Sequence, residues 1–186
     1  MNKLYLPSVT LLCSFFIFPS QNVMAQGKGD KAEPSTVEYV DLNRYAGLWY
    51  EIAKIPNRFQ KQCARNTTAA YALNDDGTIQ VINQCTKNDG SVDRAEGKAR
   101  IVDTTSNAKL EVSFVSIFGF HLFWGDYWVI GLDENYRYAV VGTPTRKYGW
   151  ILCREKQMPE DLFKEAKAIL TGQGYNPDDF VMTVQD

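Results

Sequence analysis

The chain has 186 residues, with 20 basic and 22 acidic side chains and a formal charge of −2, so it carries no basic field for holding nucleic acid. A single histidine, His121, and cysteines that form no CxxC pair leave a zinc or transition-metal site without a ligand set, and no cofactor is expected. Aromatic residues reach 13%, which suits a protein with much apolar surface to bury or to present.

The chain opens with Lys3 and the apolar run "LPSVTLLCSFFIFPS", followed by "QNVMA". Val23 and Ala25 satisfy the small-residue rule of a secretory cleavage site, so residues 1–25 are expected to be a signal peptide cut before Gln26. The run is shorter than a bilayer span needs. Cys13 leaves with it, because Leu12 stands where a lipid-attachment site wants a small residue. The polar, aperiodic residues 26–38 are expected to be a flexible leader, and residues 39–186 a single folded domain.

Short alternating segments separated by turn signals then follow one another. The first strand is Gly47 to Ile55, whose alternation puts Trp49, Glu51, Ala53 and Ile55 on one face. Thr67 to Leu73 and Thr78 to Gln84 form a hairpin across Asp76-Gly77. In Arg94 to Ile101 charged residues alternate with Ala95, Gly97 and Ala99. The next strand alternates Leu110, Val112 and Phe114 with Lys109, Glu111 and Ser113. Strands over Asp126–Leu132, Arg137–Gly142 and Tyr148–Arg154 complete eight, joined mostly by short turns. A helix beginning at Pro159 and stopping at Gly172 or Gly174 carries an apolar stripe of Leu162, Ala166, Ile169 and Leu170. The stripe is expected to cover the outward residues Trp128, Ile130, Val140 and Ile151. The segment "FVMTV" makes a short last strand.

The expected fold is therefore all-β: an eight-stranded antiparallel up-and-down barrel, with one C-terminal α-helix packed outside and a short final strand. Small residues on several inward faces (Ala53, Ala69, Ala95, Gly97, Ala99, Ala139) favour a cavity over a solid core. The rest of its expected lining is Glu51, Tyr71, Val81, Asn83, Val112, Phe114, Tyr127, Val129, Val141, Tyr148 and Trp150. Asn83, Tyr71, Tyr127 and Tyr148 could hydrogen-bond a ligand's polar group. The most apolar loop, "SIFGFHLFWGDYW", holds Phe118, Phe120, Phe123 and Trp124. It reads either as a greasy entrance that also touches a membrane, or as a local core.

Three ordered motifs resemble the lipocalin family. "NRYAGLWYEIAKIPNRFQ" resembles the first lipocalin signature, with Gly47-Leu48-Trp49 as its G-x-W. "GLDENYRYAVVGTP" resembles the second through Asp133 and Tyr136, and "YGWILCRE" the third through Arg154. The likeness runs from Val40 to Val184 and points to the branch of bacterial lipocalins and apolipoprotein D. It implies a non-enzymatic carrier of a small lipid, such as a fatty acid or lysophospholipid. It also implies a structural pairing in which Arg154 covers Trp49. An exported protein, periplasmic or secreted, is expected, and many bacterial relatives are outer-membrane lipoproteins. The rival readings are an enzyme acting on a lipid in the cavity, and a homodimer built on the aromatic loop.

On that topology Cys63 and Cys85 both fall at the open end. Compartment and placement favour a disulfide between them, pinning the loop "PNRFQKQC" to the rim. The alternative is a reactive thiol in the cavity. Cys153 is expected to lie outward under the helix.

Overall fold

The computed structural model describes Met1 and residues 32–186; the expected signal peptide lies outside the described residues. A four-residue helix α1 (Leu42–Tyr45) precedes β1 (Gly47–Lys54), β2 (Cys63–Leu73), β3 (Ile79–Lys87), β4 (Val92–Ile101) and β5 (Lys109–Ser113). A small hairpin follows, β6 (Val115–Ile117) and β7 (Phe120–Leu122). Then come β8 (Gly125–Leu132), β9 (Tyr138–Gly142), β10 (Gly149–Cys153), helix α2 (Glu160–Gly172) and β11 (Val181–Met182).

Eight antiparallel strands close into a barrel in chain order, β1 to β5 and then β8 to β10, with β10 pairing back onto β1. Closure is physically useful because it leaves few unpaired strand edges. The strand β11 lies outside this ring and pairs with the upper half of β1, Ala53 facing Met182 and Lys54 facing Val181. From there the chain crosses to the top of β2, where Asn66 N donates to Val184 O at 2.8 Å. Of the expected leader, residues 32–38 are described. Ser35 N donates to Gln173 Oε1 at 2.8 Å and Val37 N to Val129 O at 2.9 Å, so this stretch runs along the barrel.

Two apolar layers share the sheet. Outside, Leu162, Ala166 and Leu170 of α2 pack with Trp128, Ile130, Val140 and Ile151, as the stripe required. Cys153 is a free thiol buried in that layer, and burial raises its pKa. Inside the closed end, Trp49, Val129, Ala139, Val141 and Leu152 pack with Val40, Tyr45 and Ala108.

Strand β1 departs from simple alternation. Its register against β10 shifts between Glu51 and Ala53, which is a bulge. Glu51 faces inward opposite Leu152, but Ile52 and Ala53 both join the outer layer beneath α2. The expectation that Ala53 lines the cavity is thus corrected, because one extra residue reverses the phase. Lys54, not Ala53, comes round to the side of Glu51.

Candidate functional site

The closed end is built by charge and aromatic stacking. The Arg154 guanidinium lies 3.8 Å above the Trp49 ring and donates to four carbonyls, those of Leu48, Arg44, Tyr45 and Ala46, at 2.6–3.2 Å. Trp49 Nε1 donates to Tyr45 O at 2.8 Å. One arginine therefore satisfies the carbonyls that end α1 and holds the indole as a plug. Asp133 shapes the neighbouring turn by accepting from the Asn135 and Arg137 backbone N–H groups and from the Arg137 guanidinium. Tyr136 Oη accepts from Asp41 N at 2.8 Å, tying that turn to the cap of α1. Gly47, at φ +97°, takes a backbone conformation that a side chain would strain, with Arg154 beside it.

Above this plug opens a cavity of about 730 Å³. Of the expected lining residues, Glu51, Ala69, Tyr71, Val81, Asn83, Ala95, Ala99, Val112, Phe114, Tyr127, Val129, Tyr148 and Trp150 border it. Besides Ala53, three others do not. Ala139 and Val141 are fully buried in the inner cluster with Trp49, Val129 and Leu152 and do not border the cavity. Gly97 is covered by Phe114, for a Cβ there would sit 2.7 Å from the Phe114 ring. Val40, Leu42 and Tyr45 form part of the lining and were missed, since a four-residue helix has no periodicity to read. Its only signal is Asp41, whose carboxylate accepts from Asn43 N and Arg44 N as an N-cap.

The floor is hydroxylic. Tyr127 Oη lies 2.8 Å from Tyr45 Oη and 2.9 Å from Tyr71 Oη. Burial pushes Tyr71 up to about 12 and raises Tyr45 and Tyr127 as well, so all three keep their protons at ordinary pH. The walls are apolar, through Ile79, Val81, Ala99 and Leu110. Three buried wall oxygens have no hydrogen-bond partner among the described residues: Asn83 Oδ1, Thr67 Oγ1 and Thr143 Oγ1.

Glu51 is 3% exposed and fully engaged. Its carboxylate accepts from Lys54 Nζ at 2.8 Å, Thr183 Oγ1 at 2.6 Å and Gln60 Nε2 at 2.6 Å. Gln60 in turn accepts from Asn57 Nδ2 and Trp150 Nε1. This network clips a single 3-10 turn, Arg58–Gln60, over the barrel wall, with Phe59 packed on Tyr148 at 5.5 Å between ring centres. The same connection is held at its far end by the disulfide Cys63–Cys85, whose Cα atoms are 5.4 Å apart. Both cysteines line the cavity, but bridged sulfurs are not nucleophiles, and the reactive-thiol alternative falls.

The aromatic loop is neither irregular nor a local core. It forms the hairpin of β6 and β7, with Phe118 97%, Phe120 74% and Phe123 81% exposed. Phe123 reaches the cavity edge, whereas Trp124 is turned aside under the Arg100 guanidinium at 4.3 Å.

Residues 40–185 match the family model for a lipocalin-like domain. The chain belongs to the lipocalin family. It is 40% identical over 150 residues to temperature-induced lipocalin-1 of Arabidopsis thaliana, covering 79% of this chain and 80% of the relative. It is 38% identical over 152 residues to the outer membrane lipoprotein Blc of Escherichia coli K12, covering 81% and 82%. Apolipoprotein D of Macaca fascicularis is 38% identical over 168 residues, covering 85% and 82%. Insecticyanin of Manduca sexta superposes with a TM-score of 0.66 at 24% identity, over 84% of this lipocalin and 86% of that chain. As a lipocalin, the protein belongs to a family that binds small hydrophobic ligands.

Proposed function

We propose that this lipocalin is exported and carries one acyl-chain lipid, a fatty acid or a lysophospholipid, without converting it. The observation that supports this most is the cavity itself: about 730 Å³, walled by aliphatic side chains, plugged at one end and open at the other. The chain would enter tail first. Its charged head would stay at the mouth beside Arg58, since the interior already holds the Glu51 carboxylate. The exposed hairpin at the mouth would meet a membrane surface during loading. Export is supported by the disulfide and by relatives that include a named outer membrane lipoprotein.

Displacement of a fluorescent fatty-acid probe by saturated acids of increasing length tests this. Each added CH₂ contributes about 0.8 kcal/mol, so affinity should rise roughly fourfold per carbon until the cavity is full. No displacement at any length, with native mass spectrometry showing only empty protein from the host, would refute the carrier reading. Sedimentation of Phe120→Ser separates the entrance from a dimer interface. A dimer lost with binding intact would assign the hairpin to self-association.

A further inference from the structure

The three floor hydroxyls form a chain with two links, Tyr45 to Tyr127 and Tyr127 to Tyr71, and no other hydrogen-bond partner of these hydroxyls is present among the described residues. Each hydroxyl has one proton to donate, and two links consume two of the three. Whichever way the chain is oriented, one O–H remains with no acceptor. All three residues border the cavity, and Tyr45 is itself only 6% exposed. An apolar cavity therefore ends in a hydrogen-bond donor that nothing among the described residues satisfies, at the depth an acyl tail would reach.

We propose that the floor is a subsite for a neutral oxygen at the deep end of the ligand, a hydroxyl or ketone carried far from its head group. The inference rests on the lipid-carrier reading and narrows it from plain acyl chains to oxygenated ones. A neutral group is favoured over a carboxylate, because among the described residues the one cationic side chain bordering the cavity is Arg58, at the mouth. The Arg154 guanidinium lies behind Trp49 and is spent on backbone carbonyls. The tyrosines keep their protons, so the donor is available throughout the ordinary pH range. A buried oxygen lacking a partner would instead be penalised about tenfold or more.

The test compares saturated fatty acids with their ω-hydroxy counterparts, carbon for carbon, from ten to eighteen carbons. In the wild-type protein the ω-hydroxyl should weaken binding about tenfold at short lengths, where it ends above the tyrosines among Ala95, Val112 and Phe114. The penalty should vanish or reverse at the length that reaches the floor. Removing one tyrosine hydroxyl from a chain still leaves a spare proton, so the decisive variant is Tyr45→Phe/Tyr71→Phe/Tyr127→Phe. Read as the ratio of hydroxy to plain acid within that same variant, the penalty should return at every length. A penalty at every length in the wild-type protein overturns the proposal without any variant. Equal discrimination by the wild-type and triple-variant proteins also overturns it. If neither series binds the wild-type protein, the carrier reading itself fails.

Discussion

Replacing Glu51 with leucine tests how the Arg58–Gln60 turn, the lid over the barrel wall, is held. The Glu51 and Lys54 side chains are 4% and 15% exposed, so their contact at 2.8 Å is a buried ion pair, not a surface one. Removing the carboxylate leaves an ammonium with no anion and strands two further donors, Gln60 Nε2 and Thr183 Oγ1. Breaking one side of such a pair costs about 3–5 kcal/mol. Lys54→Met alone should also destabilise, since the carboxylate would keep only its two neutral donors. In Glu51→Leu/Lys54→Met both charges are gone. The remaining loss should be that of the two stranded donors, about 2 kcal/mol together. The cycle thus predicts a coupling of about 2 kcal/mol or more, measured by urea unfolding with the disulfide intact and tryptophan fluorescence as the probe. Strictly additive single losses would show that the pair does not act as a unit, and that the network's hold on the lid comes from Gln60 alone.

Three other outcomes are expected. Reducing and alkylating Cys63 and Cys85, or replacing both with alanine, should lower stability by about 3 kcal/mol for the 22-residue separation that the bridge spans, read from denaturant midpoints. Alkylation without reductant should modify neither. Gly97→Ala would bring a Cβ within 2.7 Å of the Phe114 ring and of the Ser113 carbonyl oxygen, and should cost about 1–3 kcal/mol. Hydrogen bonds from the Arg137 guanidinium, then from backbone N–H groups, hold the Asp133 carboxyl below the usual range. Its folded pKa is depressed, so its contribution is complete above the unfolded value near pH 4 and is lost as pH falls through the folded value. Asp133→Asn should therefore narrow its stability gap to the wild-type protein only in that acid window.

Much of the barrel was legible because half-buried strands must alternate. The charges of Arg94, Glu96, Lys98 and Arg100 on one side and the outward stripe of Trp128 and Val140 on the other both left their period in the sequence. What alternation cannot show is a place where it is suspended. The bulge at Ile52 and Ala53 is invisible to a count by twos, because both faces of β1 are apolar in turn. Burial depth is equally silent: Ala139 and Ala99 look alike in sequence, yet one is sealed in the inner cluster with Trp49 and the other borders the cavity. The role of Glu51 was hidden because its partners Gln60 and Thr183 lie 9 and 132 positions away.

The placement of the last residues also has a kinetic side. The upper half of β1 is joined to β11, and the top of β2 is bonded to Val184 and Asp186, the latter at a separation of 120 positions. A gap in the first part of the wall is thus bridged by some of the last residues of the domain. Hairpins such as β2–β3 can form as soon as they are synthesised, whereas this seam must wait for nearly the whole chain. Folds dominated by such distant pairings reach their native state in milliseconds to seconds rather than microseconds. Until the seam shuts, an apolar interior stands open along one side, and the unfinished chain is then most exposed to aggregation.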